Sequence, residues 1–211
     1  ITEDGEYTVT VNYQGCFETA TFNAVFVQSP IIDLGQNQSV CDGGSVLLNA
    51  TPSNSGDYDT LTYEWTDGDG LEVPGVGNSS TANLPEGEYT VVVTGVYTDA
   101  NSGDVITCSG TNTVFVEDVT YTVDLGADQF NCDDVASELT AVVSGEDASN
   151  ATYQWYLGGV AITGETGATY TPVAEGVYTV EVSIEGCVKT DEVSILLDLT
   201  PQVDLGGDQV T

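Results

Sequence analysis

The feature that most constrains this chain is an internal repeat with a period of about 80 to 90 residues. The motif Gly-x-Tyr-Thr-Val begins at Gly5, Gly87 and Gly176, and the motif Asp-Leu-Gly begins at Asp33, Asp124 and Asp204. A period of this length indicates whole domains in tandem, because solenoid units are much shorter. We expect the C-terminal part of one domain at 1–30, complete domains at 31–118 and 119–200, and the first strand of a following domain at 201–211, in a chain cut from a longer protein.

The five cysteines follow the same repeat. Cys41 and Cys132 stand at one equivalent position after Asp-Leu-Gly, and Cys16 and Cys187 stand at another after the repeated tyrosine. Cys108 lies further from its tyrosine, which indicates an insertion of about ten residues around 97–104. This spacing predicts one disulfide in each complete repeat, Cys41 with Cys108 and Cys132 with Cys187, and a partner for Cys16 outside the chain. Paired cysteines in small domains are typical of oxidising compartments, so we expect an extracellular or cell-surface protein.

The charge of the chain excludes several classes of partner. Thirty-four acidic residues stand against one basic residue, Lys189, and there is no histidine, so the formal net charge is −33. Nucleic acids and anionic membranes are excluded because phosphate groups are bound by lysine and arginine. No apolar run reaches the roughly 20 residues that would span a bilayer, so we expect no direct membrane insertion.

The alternation of apolar and polar residues predicts strands rather than helices. In the segment 178–184 every second residue is apolar, and the segment 7–13 shows the same period of two. About seven such segments per repeat, separated by turn residues, predict an all-β fold of β-sandwich domains. Trp65 and Trp155 are predicted core residues, and the repeated tyrosines Tyr7, Tyr89 and Tyr178 are predicted to form tyrosine corners.

The order Cys, Trp, Cys in each repeat resembles an immunoglobulin-like domain. The segment 63–70, Tyr-Glu-Trp-Thr-Asp-Gly-Asp-Gly, is similar to the tryptophan strand and turn of PKD domains. Together with the Asp-Leu-Gly and Gly-x-Tyr-Thr-Val motifs, the chain resembles the tandem Ig-like and PKD-like repeats of giant Bacteroidota cell-surface adhesins, which are associated with type IX secretion and gliding motility. The resemblance implies tandem Ig-like/PKD-like β-sandwich domains in a linear array. It also implies a candidate O-glycan site at Thr60, which follows Asp59 and precedes Leu61.

Candidate metal ligands are limited to carboxylates, which suit Ca²⁺. One candidate set is Asp67 and Asp69 in the Gly-Asp-Gly turn, for which a plain tight turn is the alternative. The other comprises the acidic residues at the domain borders, for which exposure to water is the alternative: Asp118, Asp124, Asp128, Asp198, Asp204 and Asp208. We therefore expect no cofactor, with calcium as the one candidate ion.

The sequence offers no catalytic group beyond carboxylates, so we expect a protein that is not an enzyme. The function predicted is a stalk or fibre segment of a large secreted adhesin or filament, extending a distal binding region from the cell. The alternatives are an accessory spacer in a secreted polysaccharide-degrading enzyme and a self-assembling extracellular filament or sheath subunit. The expected partners are neighbouring repeats of the same chain, other copies in a filament, and a surface or glycan ligand that the sequence does not identify.

Overall fold

The chain forms β-strands along most of its length. The computed structural model describes residues 3–132, 136–145 and 148–198. Within these ranges the helical elements are two 3-10 turns, Ser55–Asp57 and Ala148–Asn150, and no helix is long and apolar enough to cross a bilayer. The all-β fold expected from the period-two pattern is confirmed.

Contacts divide the chain into two compact units. The first comprises Ile1–Gln38 and Gly44–Glu117, and the second comprises Ser39–Gly43 and Asp118–Thr211. The main division therefore lies one residue from the boundary expected between 31–118 and 119–200. The segment 1–30 groups with the first unit, and Ser39–Gly43 groups with the second although it precedes most of the first in sequence. The expected strand at 201–211 lies outside the described residues.

The strands up to residue 119 form three sheets. They are β1 (Gly5–Tyr13), β2 (Cys16–Ala24), β3 (Gln38–Cys41), β4 (Val46–Asn49), β5 (Thr60–Asp67), β6 (Thr81–Leu84), β7 (Gly87–Thr98) and β8 (Val105–Val119). The largest sheet has the order β3-β8-β7-β5, while β4 pairs with β6 and β1 pairs with β2. Trp65 on β5 is buried, and its indole N–H donates to the Ser79 carbonyl at 2.9 Å. Its predicted position in the core is confirmed.

The second unit is built around a five-stranded sheet with the order β10-β17-β16-β13-β14. Its strands are β9 (Thr122–Asp124), β10 (Gln129–Cys132), β11 (Leu139–Thr140), β12 (Val142–Ser144), β13 (Thr152–Leu157), β14 (Val160–Ala161), β15 (Thr169–Tyr170), β16 (Gly176–Ile184) and β17 (Cys187–Asp198). Two separate two-stranded sheets, β11-β15 and β12-β9, belong to the same unit. Trp155 is fully buried, and its ring lies 5.5 Å from that of Tyr170, which lies 5.6 Å from Tyr178.

Alternate residues of the hairpin strands enter these cores, because side chains of a strand point to opposite faces in turn. On β7 the buried residues include Tyr89, Val91 and Val93, and on β16 they include Tyr178 and Val180. The apolar side chains on one face of each strand are therefore buried, and their burial stabilises each unit.

Three antiparallel hairpins share one register. The repeated tyrosine pairs across each hairpin with Phe22, Val114 or Val193, listed in chain order, and the hairpin cysteine precedes that partner by six residues in every copy. The insertion in the second copy lengthens the hairpin at its turn end, where β7 has 12 residues and β16 has 9. Cys16, Cys108 and Cys187 are therefore equivalent positions on the strand, although Cys108 is further from its tyrosine in sequence.

Candidate functional site

The disulfide in the structure joins Cys41 to Cys187, with their Cα atoms 5.7 Å apart. Both residues belong to the second compact unit, because that unit includes Ser39–Gly43. Among the cysteines whose side chains the structure describes, Cys16 and Cys108 are unpaired. The predicted pairs Cys41–Cys108 and Cys132–Cys187 are therefore wrong. The side chain of Cys132 lies outside the described residues.

The register of the last strand explains the correction. Strand β10 pairs parallel with β17, so that Cys132 lies beside Asp198, the last residue of a strand whose first residue is Cys187. A strand of this length spans roughly 35 Å, several times the Cα separation of any disulfide. In the first repeat, Gly43 donates its backbone N–H to Asp118 near the end of β8, whereas Cys108 lies near the start of that strand. The two cysteines of one repeat therefore stand near opposite ends of its last strand.

The Asp-Leu-Gly motif is a turn that attaches the chain to this last strand. Asp33 accepts the Gly35 N–H at 2.8 Å, and Asp124 accepts the Gly126 N–H at 2.7 Å. The leucine that follows each aspartate is buried. Its backbone N–H donates to Asn112 in the first repeat and to Asp191 in the second.

A second polar residue, four positions after the motif aspartate, accepts a hydrogen bond from the last strand of each repeat. Asn37 accepts the Phe115 N–H at 3.2 Å, and Asp128, at the equivalent position, accepts the Ser194 N–H at 2.9 Å. These hydrogen bonds satisfy backbone donors next to the short parallel strand, where the ladder begins. The acidic character of the motif thus serves the architecture of the repeat.

Of the two candidate calcium ligands in the Gly-Asp-Gly turn, Asp67 holds the turn together with its carboxylate. One carboxylate oxygen of Asp67 accepts the backbone N–H groups of Asp69 and Leu71, at 3.0 and 2.9 Å. The Gly70 N–H donates to the Asp67 carbonyl at 2.9 Å, and Gly70 adopts a φ of 77°, which favours glycine. The geometry is that of a tight turn, the alternative stated for these residues.

The junction carboxylates also accept hydrogen bonds from nearby groups. Asp118 accepts the Gly43 N–H and the Thr120 hydroxyl, while Asp124 and Asp128 accept the backbone N–H groups given above. The side chain of Asp198, and all of Asp204 and Asp208, lie outside the described residues. Across the residues described, no group of three or more acidic, cysteine or histidine side chains could hold a metal ion. Calcium binding stays a prediction that no geometry here carries further.

Thr60, the candidate glycan acceptor, is exposed at the first position of β5. Asp59 beside it accepts the Thr98 N–H at 2.7 Å, and its own N–H donates to the Val96 carbonyl at 2.8 Å. The threonine hydroxyl is therefore on an ordered and accessible part of the sheet. Its modification stays a prediction.

The repeated tyrosines form the predicted corners. Each phenol donates to a backbone carbonyl three or four residues earlier: Tyr7 to Glu3, Tyr89 to Glu86 and Tyr178 to Ala174. Burial raises the pKa of Tyr89 above its ordinary value, with further contributions from the nearby carboxylates of Asp67 and Glu86. These phenols are structural groups that are hydrogen-bonded to the backbone.

Two polar features could not be identified from the sequence. Asp99 is buried in the lengthened hairpin, where it accepts the Asn101 N–H at 2.9 Å and the Ser102 hydroxyl at 3.0 Å. These hydrogen bonds lower the pKa of the Asp99 carboxyl. Lys189, the single basic residue, pairs with Asp42. The sequence contains an Asp-x-x-Ser spacing and a single lysine, but neither pattern predicts which residue these side chains contact.

A surface cleft of about 470 Å³ opens beside the same hairpin. It is lined by Phe22, Asn23, Val25, Asp99, Asn101, Ser102, Asp104 and Ile106. One of its two carboxylates, Asp99, is already occupied by the turn.

Part of the chain matches a known protein family. Residues 27–116 match the profile of the family described as PKD domain, which is less than half of the chain. The chain is 29% identical over 180 residues to the protein described as "Highly immunogenic outer capsid protein" of Enterobacteria phage T4, covering 75% of this chain. The chain spans about half, 47%, of the length of that relative.

Solved structures that align with the chain are multi-domain immunoglobulin fragments. Drosophila OTK extracellular domains 3 to 5 align with a TM-score of 0.48 and 15% identity, covering 92% of this chain and 71% of theirs. A three-immunoglobulin-domain fragment of titin aligns with a TM-score of 0.44 and 16% identity, covering 82% and 67%. Its strand topology and cores make the chain an all-β protein, and residues 27–116 match the PKD domain family.

Proposed function

We propose that the chain is a non-catalytic structural segment of a secreted surface protein, which extends a distal binding region away from the cell. The observation that supports this most directly is the use of the repeated polar residues. The Asp-Leu-Gly aspartates Asp33 and Asp124 and the corner tyrosines are each hydrogen-bonded to the backbone of their own surroundings. Residues that recur along the chain thus maintain the domains instead of converging on a substrate.

The surface chemistry supports an extracytoplasmic role. A disulfide is present, and the net charge of −33 keeps neighbouring copies apart and soluble at low ionic strength. The finer hypothesis is a Bacteroidota adhesin exported by type IX secretion and associated with gliding. It predicts a C-terminal sorting domain and further repeats in the complete gene.

The decisive experiment replaces residues 31–200 in the intact source protein with two unrelated immunoglobulin-like domains of similar length. If the segment is a spacer, the replaced protein still attaches to its surface, whereas deletion of the segment weakens attachment. Loss of attachment on replacement would overturn the proposal, as would turnover of a polysaccharide by the isolated chain.

A self-assembling filament is a second candidate, supported by the exposed apolar face of the first hairpin. Val9, Val11 and Tyr13 on β1 share one face with Phe22 on β2, and all four are more than half exposed. The phage relative is described as an outer capsid protein, a component of an assembly. Sedimentation over a range of concentrations tests this candidate, since assembly predicts a rising mass and a lone chain predicts a constant one.

A further inference from the structure

The three hairpins carry a cysteine at one register position, and only one of these cysteines is bonded. Cys16 pairs across its hairpin with Tyr13, Cys108 with Gly95, and Cys187 with Ile184. In the second unit this hairpin cysteine is joined to Cys41, which follows the Asp-Leu-Gly motif of the preceding repeat. The question is what Cys108 and Cys16 are placed to bind.

The register of the first hairpin indicates where the motif cysteine of that repeat would lie. On the last hairpin, Gly176 pairs with Ile195, three residues before Asp198, and Asp198 is the residue beside which Cys132 lies. On the first hairpin, Gly5 pairs with Ala24, three residues before Val27. Val27 is therefore the position beside which the motif cysteine of that repeat would lie.

The sulfur of Cys108 lies at this position. Its Sγ atom is 3.6 Å from the carbonyl oxygen of Val27, and the side chain is half-buried. These are separate observations: the register places the motif cysteine of that repeat beside Val27, and the sulfur contact places Cys108 there. Both residues belong to the first compact unit.

The edge that would receive such a segment is open. Strand β17 is flanked by β16 on one side and by the motif strand β10 on the other. Among the described residues, β2 has β1 as its only strand neighbour. By the same register, the residues equivalent to those of β17 that pair with β10 are 24–27, which are the end of β2 and the three residues that follow it.

We propose that Cys108 is a cross-linking site for the motif cysteine of another copy of the repeat, and that each repeat is joined in this way to the one after it. Cys41 and Cys187 are one such link. The incoming segment has the chemistry of residues 33–44: an Asp-Leu-Gly turn, a short strand beside residues 24–27, and a cysteine that ends beside Val27. Cys16 holds the same position for a further copy.

The bond forms by two thiol–disulfide exchanges. One thiolate attacks a low-molecular-weight disulfide or an oxidised oxidoreductase and releases its thiol, and the second thiolate then displaces the other half. Two cysteine thiols lose two protons and two electrons, and the oxidant disulfide is reduced to two thiols. The protein itself needs to provide only two reactive thiols and a segment that can approach Cys108.

The test uses the whole chain, with Cys41–Cys187 intact, and a peptide of residues 33–44 whose cysteine is activated as a pyridyl disulfide. Attack by the Cys108 thiolate forms the mixed disulfide and releases pyridine-2-thione, whose absorbance gives the rate. The control peptide has the same composition in scrambled order, so charge and leaving group are matched. Cys108→Ser removes the target, and Cys16→Ser leaves it.

We expect the repeat peptide to modify Cys108 about tenfold faster than the scrambled peptide does, because docking raises the local concentration of the disulfide. Cys108→Ser should abolish that difference and Cys16→Ser should keep it, as located by mass spectrometry of the digest. Equal rates for both peptides, or preferential modification of Cys16, would overturn the proposal. In protein from its source, a link between Cys108 and an Asp-Leu-Gly peptide other than the one that contains Cys41 supports the proposal, whereas a free Cys108 or a link to Cys41 refutes it.

Discussion

The first hairpin and the last hairpin have the same register and the same Gly-x-Tyr-Thr-Val signature, but they differ in what covers them. Val180 on β16 is fully buried, whereas Val9, its equivalent on β1, is 60% exposed. Strand β16 lies between β17 and β13, which carries Trp155, while β1 has β2 as its neighbour in a two-stranded sheet. The hairpin sequence therefore determines strand pairing, and the remainder of the repeat determines burial.

The largest effect is expected from removing the cover of the last hairpin. Trp155→Ala should destabilise the second unit by about 3–5 kcal/mol, because it removes a fully buried ring and leaves a cavity. Hydrogen exchange of the β16 amides measures this in the unit concerned. Trp155→Phe, which keeps an aromatic ring against Tyr170, should lose less. A loss below about 1 kcal/mol for Trp155→Ala would contradict the role assigned to the cover.

A matched pair of truncations tests the comparison directly. Val180→Ala should cost about 2 kcal/mol, since two buried methyl groups are lost, and Val9→Ala should change stability by less than about 0.5 kcal/mol. Denaturant unfolding of each variant, with amide exchange of its own hairpin, gives both values. Equal costs would mean that Val9 is covered in solution, and would point to self-association of the first hairpin.

The tyrosine corners provide a smaller and sharper contrast. Tyr178→Phe should cost about 1 kcal/mol, because the carbonyl of Ala174 loses its donor beside a buried ring. Tyr7→Phe should have little effect, since its hydrogen bond to the Glu3 carbonyl is exposed and water can replace it. Thermal melting of the two variants against the parent chain checks the order. A larger loss for Tyr7→Phe would reverse the comparison.

The middle hairpin differs from both by its lengthened turn, and pH should reveal that difference. Hydrogen bonds from Asn101 and Ser102 lower the pKa of Asp99 in the folded chain. The stabilisation from Asp99 is therefore present above the unfolded pKa of about 3.9 and is lost as pH falls through the lower folded value. In Asp99→Asn, the protection of the 98–104 amides against hydrogen exchange should fall less steeply as the pH is lowered. An unchanged acid limb would remove Asp99 as the cause.

Local features of this fold could be predicted because they depend on short-range pattern. The alternation in β7 and β16, the tyrosine corners and the tryptophan cores all follow from residues that are close in sequence or share one face. The insertion was located correctly in sequence, and its effect on the register became visible only when Tyr89 was paired with Val114.

The disulfide could not be predicted because it depends on the direction of one short strand. Spacing places Cys41 and Cys108 in one repeat, but the parallel pairing seen for β10 and β17 carries the motif cysteine to the far end of the last strand. No local residue pattern encodes which end of a neighbouring strand a segment will reach. The ion pair of Lys189 with Asp42 depends on the same placement.

The grouping of Ser39–Gly43 with the second unit has a practical consequence for anyone dissecting this protein. If the gene is divided between the codons of Glu117 and Asp118, the repeats stay intact in sequence. Cys187 and Lys189 are then separated from their partners, Cys41 and Asp42. Expression clones of a single module should carry the upstream pentapeptide as well, for example by circular permutation. Domain catalogues that cut such chains at sequence periods will separate pieces that are chemically joined.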